Sequence, residues 1–377
     1  MMGKGIGLLL MNKDIAIIDA DIIGKKKHRF PNLASMKLSS YHKSIGDNVI
    51  LLASYDDLSN YDTVYISKVF TDTPIDESIL QHPNVKYNGT GFFYDKATPL
   101  PYEIEHIMPD YHLYDNWITD MIQGGAKESQ FQFYRDYSIG FLTRGCFRQC
   151  EFCVNKHYKQ CIKHSNVHEF YDPNRKKICF LDDNFFACKD WRELIQDVKN
   201  IHKPFIFKQG LDERLLTEEK IREMLSWKYI GRFIFAFDNI ADYDLIESKL
   251  KLMKSITDKP CTFYVLCGYD YNNKYDEEFW ERDIIDLFRR IELLGYYGHY
   301  PYIMRHENYK KSPYYGTYMN IATWCNMPHL YAKMSYKDYC IEKDKLQKGK
   351  SSYLRYYEKT LEIPNIKQYI DKKFLNR

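Results

Sequence analysis

Gly140-Phe141-Leu142-Thr143-Arg144-Gly145-Cys146-Phe147-Arg148-Gln149-Cys150-Glu151-Phe152-Cys153 carries an apolar run into three cysteines spaced C-x3-C-x2-C. Thiolates on a short loop hold iron-sulfur clusters. A four-iron cluster needs four ligands, so three cysteines leave one iron open to a ligand that is not protein. Zinc is the alternative. Its structural sites are closed by four ligands, typically in paired units, and no second cysteine or histidine pair of that kind follows. His157 and Cys161 could complete a four-ligand set, so zinc stays open beside the cluster, as do three plain buried thiols.

The spacing, the Arg144-Gly145 pair before the first cysteine and the aromatic Phe152 before the third together resemble the radical S-adenosylmethionine superfamily. The resemblance implies a 4Fe-4S cluster on Cys146, Cys150 and Cys153, with the methionine amine and carboxylate of S-adenosylmethionine chelating the open iron and Phe152 against the cofactor. It also implies the mechanism: the reduced cluster cleaves the sulfonium, and the 5′-deoxyadenosyl radical abstracts hydrogen from a substrate. Such an enzyme is oxygen-sensitive and needs a reductant such as flavodoxin or ferredoxin. The sequence does not identify the substrate.

Composition fits a large α/β enzyme. The chain of 377 residues is 45% hydrophobic and 28% charged, enough to bury a sizeable core. Lys+Arg 54 against Asp+Glu 51 gives a net charge of +3, too balanced to argue for nucleic acid or an anionic membrane. The basic run Lys25-Lys26-Lys27-His28-Arg29 reads as a solvated loop. No apolar stretch reaches the roughly 18 residues of a membrane span. The opening Gly5-Ile6-Gly7-Leu8-Leu9-Leu10-Met11 is short for a signal peptide and lacks a cleavage site, and translation could start at Met11. Ten scattered cysteines form no disulfide framework, which points to a reducing, cytoplasmic compartment.

The pattern predicts two α/β blocks and a tail. In the first, strands are expected at 15–19, 49–53 and 63–67, with a helix through Ala34, Leu38, Tyr41 and Ile45 stopped by Gly46. Near-continuous apolar strands imply a parallel sheet covered on both faces. Residues 12–125 are therefore expected as a Rossmann-like domain. Its Asp19-Ala20-Asp21-Ile22-Ile23-Gly24 keeps the D-x-H-x-x-G spacing of cobalamin-binding domains, with Asp21 in place of the cobalt-ligating His. Ser67 and Asn88-Gly89-Thr90-Gly91 resemble further parts of that fold. The domain is thus cobalamin-binding-like, and histidine ligation of cobalt is excluded. A fold without the cofactor is favoured over real cobalamin binding.

The second block, 126–306, starts with a strand at 137–142 that delivers the cysteines. Strands are expected at 178–181, 205–207, 233–237, 262–266 and 300–304, with helices at 218–228, 245–255 and 283–294 between them. Six alternating units argue for a partial (β/α)6 barrel, whose chemistry sits at the C-terminal strand ends. Residues 307–377 lose the rhythm and form a C-terminal cap, in which Trp324-Cys325-Asn326 could act as a lid, with helix packing the favoured role for Trp324.

Polar residues gather at the expected strand ends. Asp182, Asp183 and Asn184 offer acceptors for the ammonium of the methionine moiety, with helix capping as the alternative. Gln209 and Arg214 could reach ribose or carboxylate, while Asp212 and Glu213 read equally as a helix start. Asp238 follows the fourth strand, with helix capping again the alternative, and Gly268 the fifth, where Tyr264 or Tyr269 could stack on a base, a core or surface role being the default for them. Arg305 ends the sixth, facing an anion or pairing with Glu307.

Two readings of other classes stand beside the hydrogen-abstracting enzyme: a cobalamin-assisted methyltransferase and a non-enzymatic zinc or iron-sulfur module. A methylthiotransferase is disfavoured, because no cysteine precedes Cys146.

Overall fold

The computed structural model describes residues 12–156, 158–347 and 352–375. His157 and the apolar opening up to Met11 lie outside the described residues. The chain is a mixed α/β protein built on parallel sheets. It divides into two compact units. One takes residues up to Gln149 with Cys153–Asp182 and Arg192–Phe205; the other takes Cys150–Phe152, Asp183–Trp191 and the chain from Ile206 onwards.

The first unit opens with a parallel sheet ordered β2-β1-β3-β4, where β1 is Asp14–Asp19, β2 Asn48–Leu52, β3 Thr63–Ser67 and β4 Val85–Asn88. β1 is buried from Ile15 onwards because its alternate residues feed two cores. Ile15 and Ile17 pack with Leu33, Met36 and Trp117, whereas Ala16 and Ile18 pack with Leu58, Val64 and Ile66. That double burial is why the strand reads as one apolar run. β4 has no such run and is half-exposed, so the sequence does not reveal it. The helix Leu33–Ser44 starts at Asn32, whose side chain accepts from Ser35 N, and stops before Gly46, which has φ +93°. Register sets Asp19 opposite Ser67 and Ser67 opposite Asn88, so three polar strand ends share one edge.

Six later strands stand close to their expected positions, as two three-stranded sheets. In one, β5 (Tyr137–Gly140) pairs parallel with β8 (Lys177–Phe180), and β9 (Phe205–Phe207) completes the order β5-β8-β9. Between β5 and β8 lies an antiparallel hairpin of β6 (Thr143–Arg144) and β7 (Ile162–Lys163). In the second unit, β10 (Ile234–Ala236), β11 (Thr262–Cys267) and β12 (Tyr300–Arg305) run parallel in that order.

Helices Glu218–Leu225, Tyr243–Ile256 and Glu277–Tyr296 intervene. The last begins well before the expected 283, because Asp276 caps it by accepting from Phe279 N. The tail is helical, including Tyr315–Cys325, Tyr336–Leu346 and Tyr353–Thr360. Trp324 takes the helix-packing role rather than that of a lid. Trp324 and Cys325 are fully buried, and the Asn326 amide accepts from Ile303 N at 2.6 Å and donates to Ile303 O at 3.1 Å, satisfying the β12 edge. Among the described residues no helix is long and apolar enough to cross a membrane.

Candidate metal centre and strand-end residues

The three cysteines sit inside the β6–β7 hairpin, closed where Thr143 pairs with Lys163 and Arg144 with Ile162. Gly145 makes the turn possible. At φ +92°, a Cβ there would stand 2.4 Å from both Gln160 O and Tyr158 Cβ. Gln149 crosses the loop, its amide donating to Cys146 O at 2.9 Å and Tyr158 O at 3.1 Å. Backbone N–H groups of Arg148 and Asn155 point at the Sγ atoms of Cys146 and Cys153, 3.4 Å away in each case. Such N–H donors suit thiolate sulfur, and hydrogen bonds to sulfur tune cluster potentials.

Exposure sorts the ten cysteines. Cys146, Cys150, Cys153 and Cys161, all on the hairpin, are half-buried; the other six are buried. Burial pushes the Cys261 and Cys340 thiols up to about 12, which keeps them protonated and unfit as ligands. Among the described residues, no three His, Cys, Asp or Glu side chains are already gathered around a metal position.

Asp182, fully buried just beyond β8, is a strut. Its Oδ2 accepts from Leu142 N at 3.1 Å, and its Oδ1 accepts from Thr143 N and Thr143 Oγ1, both at 2.7 Å. This is why β5 ends at Gly140 rather than 142: the next amides turn to a carboxylate instead of a strand. Asp183 is half-buried.

In the second unit Asn184 makes no capping bond and donates to Asp212 Oδ2 at 3.1 Å. Asp212 does cap a short turn, accepting from Arg214 N at 3.2 Å and Arg214 Nε at 2.7 Å. Arg214 also holds Asp242 at 2.7 Å, so its fork is engaged by two carboxylates and its pKa is raised by them. Glu213 is fully buried and accepts from Ala236 N at 3.1 Å. Burial, with Asp212 adjacent, pushes its carboxyl up to about 8. Gln209 is exposed.

Asp238 accepts from Leu266 N at 3.1 Å, tying the ends of β10 and β11. Burial pushes it up to about 6 against the pull of Arg290. Capping of the next turn falls to Asn239 instead. Arg290, buried on the helix Glu277–Tyr296, donates to Phe237 O, Asp238 O and Leu266 O. Gly268, at φ +75°, gives its N–H to Asp283 at 2.8 Å, and Asp283 also accepts from Tyr318 OH at 2.7 Å.

Tyr269 reaches the cysteine stretch, its hydroxyl donating to Glu151 at 3.2 Å and its ring standing edge-on to Phe152 at 5.6 Å. Tyr271 is pushed up to about 12 by burial, then by Cys150 and Asp238. Tyr264 meets Tyr302 at 5.5 Å. Arg305 is exposed and lies over the Tyr309 ring at 4.8 Å rather than pairing with Glu307.

Sequence reasoning missed Arg290, Gln149, Tyr271 and Asp283, and read Glu213 only as part of a helix start. Only Arg290 leaves a signal, as a cation inside the apolar series Ile284, Leu287, Ile291, Leu294.

No family model matches the chain, and no curated protein does. Among solved structures it is similar to the cobalamin-dependent S-adenosylmethionine radical enzyme OxsB with aqua-cobalamin and S-adenosylmethionine bound, at 12% identity and a TM-score of 0.45, covering 83% of this chain and 55% of that one. It is also similar to the apo, selenomethionine-labelled form of OxsB, at 15% identity and a TM-score of 0.34, covering 78% and 49%. The chain spans about half the length of the structures it matches.

Proposed function

We propose that the chain is a radical S-adenosylmethionine enzyme whose hairpin holds a 4Fe-4S cluster through Cys146, Cys150 and Cys153. The observation that carries this reading is the sorting of the cysteines: the three with ligand spacing are half-buried on one hairpin together with Cys161, and the other six are buried elsewhere. The donor set suits the group, since the N–H groups of Arg148 and Asn155 are directed at two of the three sulfurs. When bound, the cluster and S-adenosylmethionine supply the electron and the 5′-deoxyadenosyl radical that takes hydrogen from a substrate.

The protein's part is positioning. Asp182 and Gln149 hold the hairpin, and Tyr269 and Glu151 fix the stretch between Cys150 and Cys153. Asp183, Asn184, Gln209, Arg214, Asp238 and Gly268 are proposed to receive the cofactor at the strand ends, with Phe152 beside it. Of these, Asn184 and Asp238 carry acceptor atoms at the ends of β8 and β10. A three-part division at 12–125, 126–306 and 307–377, a flavodoxin or ferredoxin as reductant, and a reducing, cytoplasmic location complete the proposal.

The test is direct. Protein reconstituted with iron and sulfide without oxygen, then reduced with dithionite, is expected to convert S-adenosylmethionine to 5′-deoxyadenosine and methionine. Stoichiometric zinc without iron after anaerobic preparation, or no cleavage by a fully loaded cluster, would overturn it.

A further inference from the structure

In the first unit Asp19-Ala20-Asp21-Ile22-Ile23-Gly24 keeps the spacing of a corrin-binding motif, and Asn88-Gly89-Thr90-Gly91 resembles the later glycine turn of such domains. We infer that this sheet edge takes no corrin, because the glycines of both motifs seat the chain's own segment 68–74. The inference is independent of the cluster.

Asp21 stands where a cobalt-ligating histidine would be, and it faces inward, 1% exposed. Its Oδ2 accepts from Val69 N at 2.7 Å; its Oδ1 accepts from Phe70 N at 3.4 Å and from the Thr73 hydroxyl. One carboxylate thus gathers three donors of one segment. A carboxylate has the lone pairs for this, whereas a neutral imidazole offers one acceptor nitrogen.

The glycines meet the same segment. A Cβ on Gly24 would stand 2.6 Å from Thr73 Cγ2 and 3.0 Å from Pro74 Cδ. On Gly89, at φ +125°, it would stand 2.2 Å from Lys68 O, and on Gly91 2.7 Å from Lys68 Cγ and 2.8 Å from Phe70 O. Lys68 is laced in by its backbone, accepting from Gly91 N at 3.0 Å and donating to Asn88 O at 3.2 Å. Its ammonium donates to Thr73 O at 3.3 Å and lies 4.6 Å from the centre of the Phe92 ring.

Glycine in such places marks a close approach of something to the backbone. Here that something is the chain itself. Ser67, the remaining residue of the pattern, is taken by the Asn32 amide at 2.9 Å. Open parallel sheets bind ligands in the crevice beyond their carboxyl strand ends. In this sheet the segment 68–74 packs on the glycines beside β1 and β3 instead.

The experiment uses the full chain with its cluster loaded, mixed with excess hydroxocobalamin and desalted. Wild-type protein and Asp21→His are both expected to elute without corrin absorbance. Stoichiometric corrin on either would overturn the inference. The segment is tested separately by trypsin. Asp21→Ala removes the shared acceptor and is expected to speed cleavage after Lys68 by roughly tenfold at unchanged far-ultraviolet circular dichroism. Cleavage as slow as in the wild type would show that Asp21 does not pin the segment. Iron per chain, read on the same samples, reports the cluster independently.

Discussion

Asp182 Oδ1 receives both the backbone N–H and the hydroxyl of Thr143, at 2.7 Å each, so the end of β8 fixes the first residue of the cysteine hairpin. The carboxylate is fully buried, where a lost partner costs most.

Asp182→Asn keeps one acceptor oxygen but sets an amide N–H against a backbone N–H, a loss of about 1–3 kcal/mol. Iron per chain is expected to fall while circular dichroism is unchanged. Asn184→Ala is expected to do the reverse, keeping the iron and weakening S-adenosylmethionine binding by about tenfold, read from the cluster's paramagnetic resonance signal. Full iron with weakened cofactor binding in Asp182→Asn would make that residue a cofactor contact instead.

Replacing any one of Cys146, Cys150 or Cys153 by Ala is expected to abolish the proposed four-iron cluster, since that set is already the minimum. Cys179→Ala is expected to leave iron content unchanged and to lower the melting temperature, because that side chain is fully buried. Iron analysis and thermal melts check both arms.

Gly145→Ala introduces a Cβ that would stand 2.4 Å from Gln160 O at a φ of +92°. The hairpin cannot close around it, and reconstitution is expected to yield little iron. Gly125→Ala provides the control, because its φ of +96° strains the backbone similarly with no atom within 4 Å. Equal iron in the two variants would show that closure of the hairpin is not required.

Glu213 gives a pH signature. Its folded-state pKa is raised from 4.5 to about 8, so the folded chain keeps a proton that the unfolded chain releases. This group's contribution to stability is therefore present at low pH, declines as pH rises from 4.5 to about 8, and is flat above. Glu213→Gln keeps an acceptor for Ala236 N and removes the titration. Melting temperatures of the variant are expected to fall less than those of the wild type across that window. Parallel curves would rule out a protonated Glu213.

The strands were legible because buried parallel strands read as apolar runs: β9 lies at the expected 205–207, and β3 at 63–67. β4 was not, since Val85-Lys86-Tyr87-Asn88 pairs on one side only and carries polar side chains to solvent. At the site, the cysteine spacing declares itself locally. The struts do not. Asp182 meets Thr143, and Arg290 meets Phe237, only after folding has brought distant segments together. Such side-chain to backbone bonds leave no period in the sequence. Arg214 is a further case: the sequence shows its fork but not its partners, Asp212 and Asp242, which only the fold brings to it.

Arg290 gives the strand ends a mechanical character. One guanidinium grips the carbonyls of Phe237, Asp238 and Leu266, and Asp283 on the same helix grips the Gly268 amide. The exits of β10 and β11 are thus bolted to a single rod, so their spacing is set before any ligand arrives. Under the proposed reading, a molecule received at those exits would meet a fixed gauge rather than a pliant pocket.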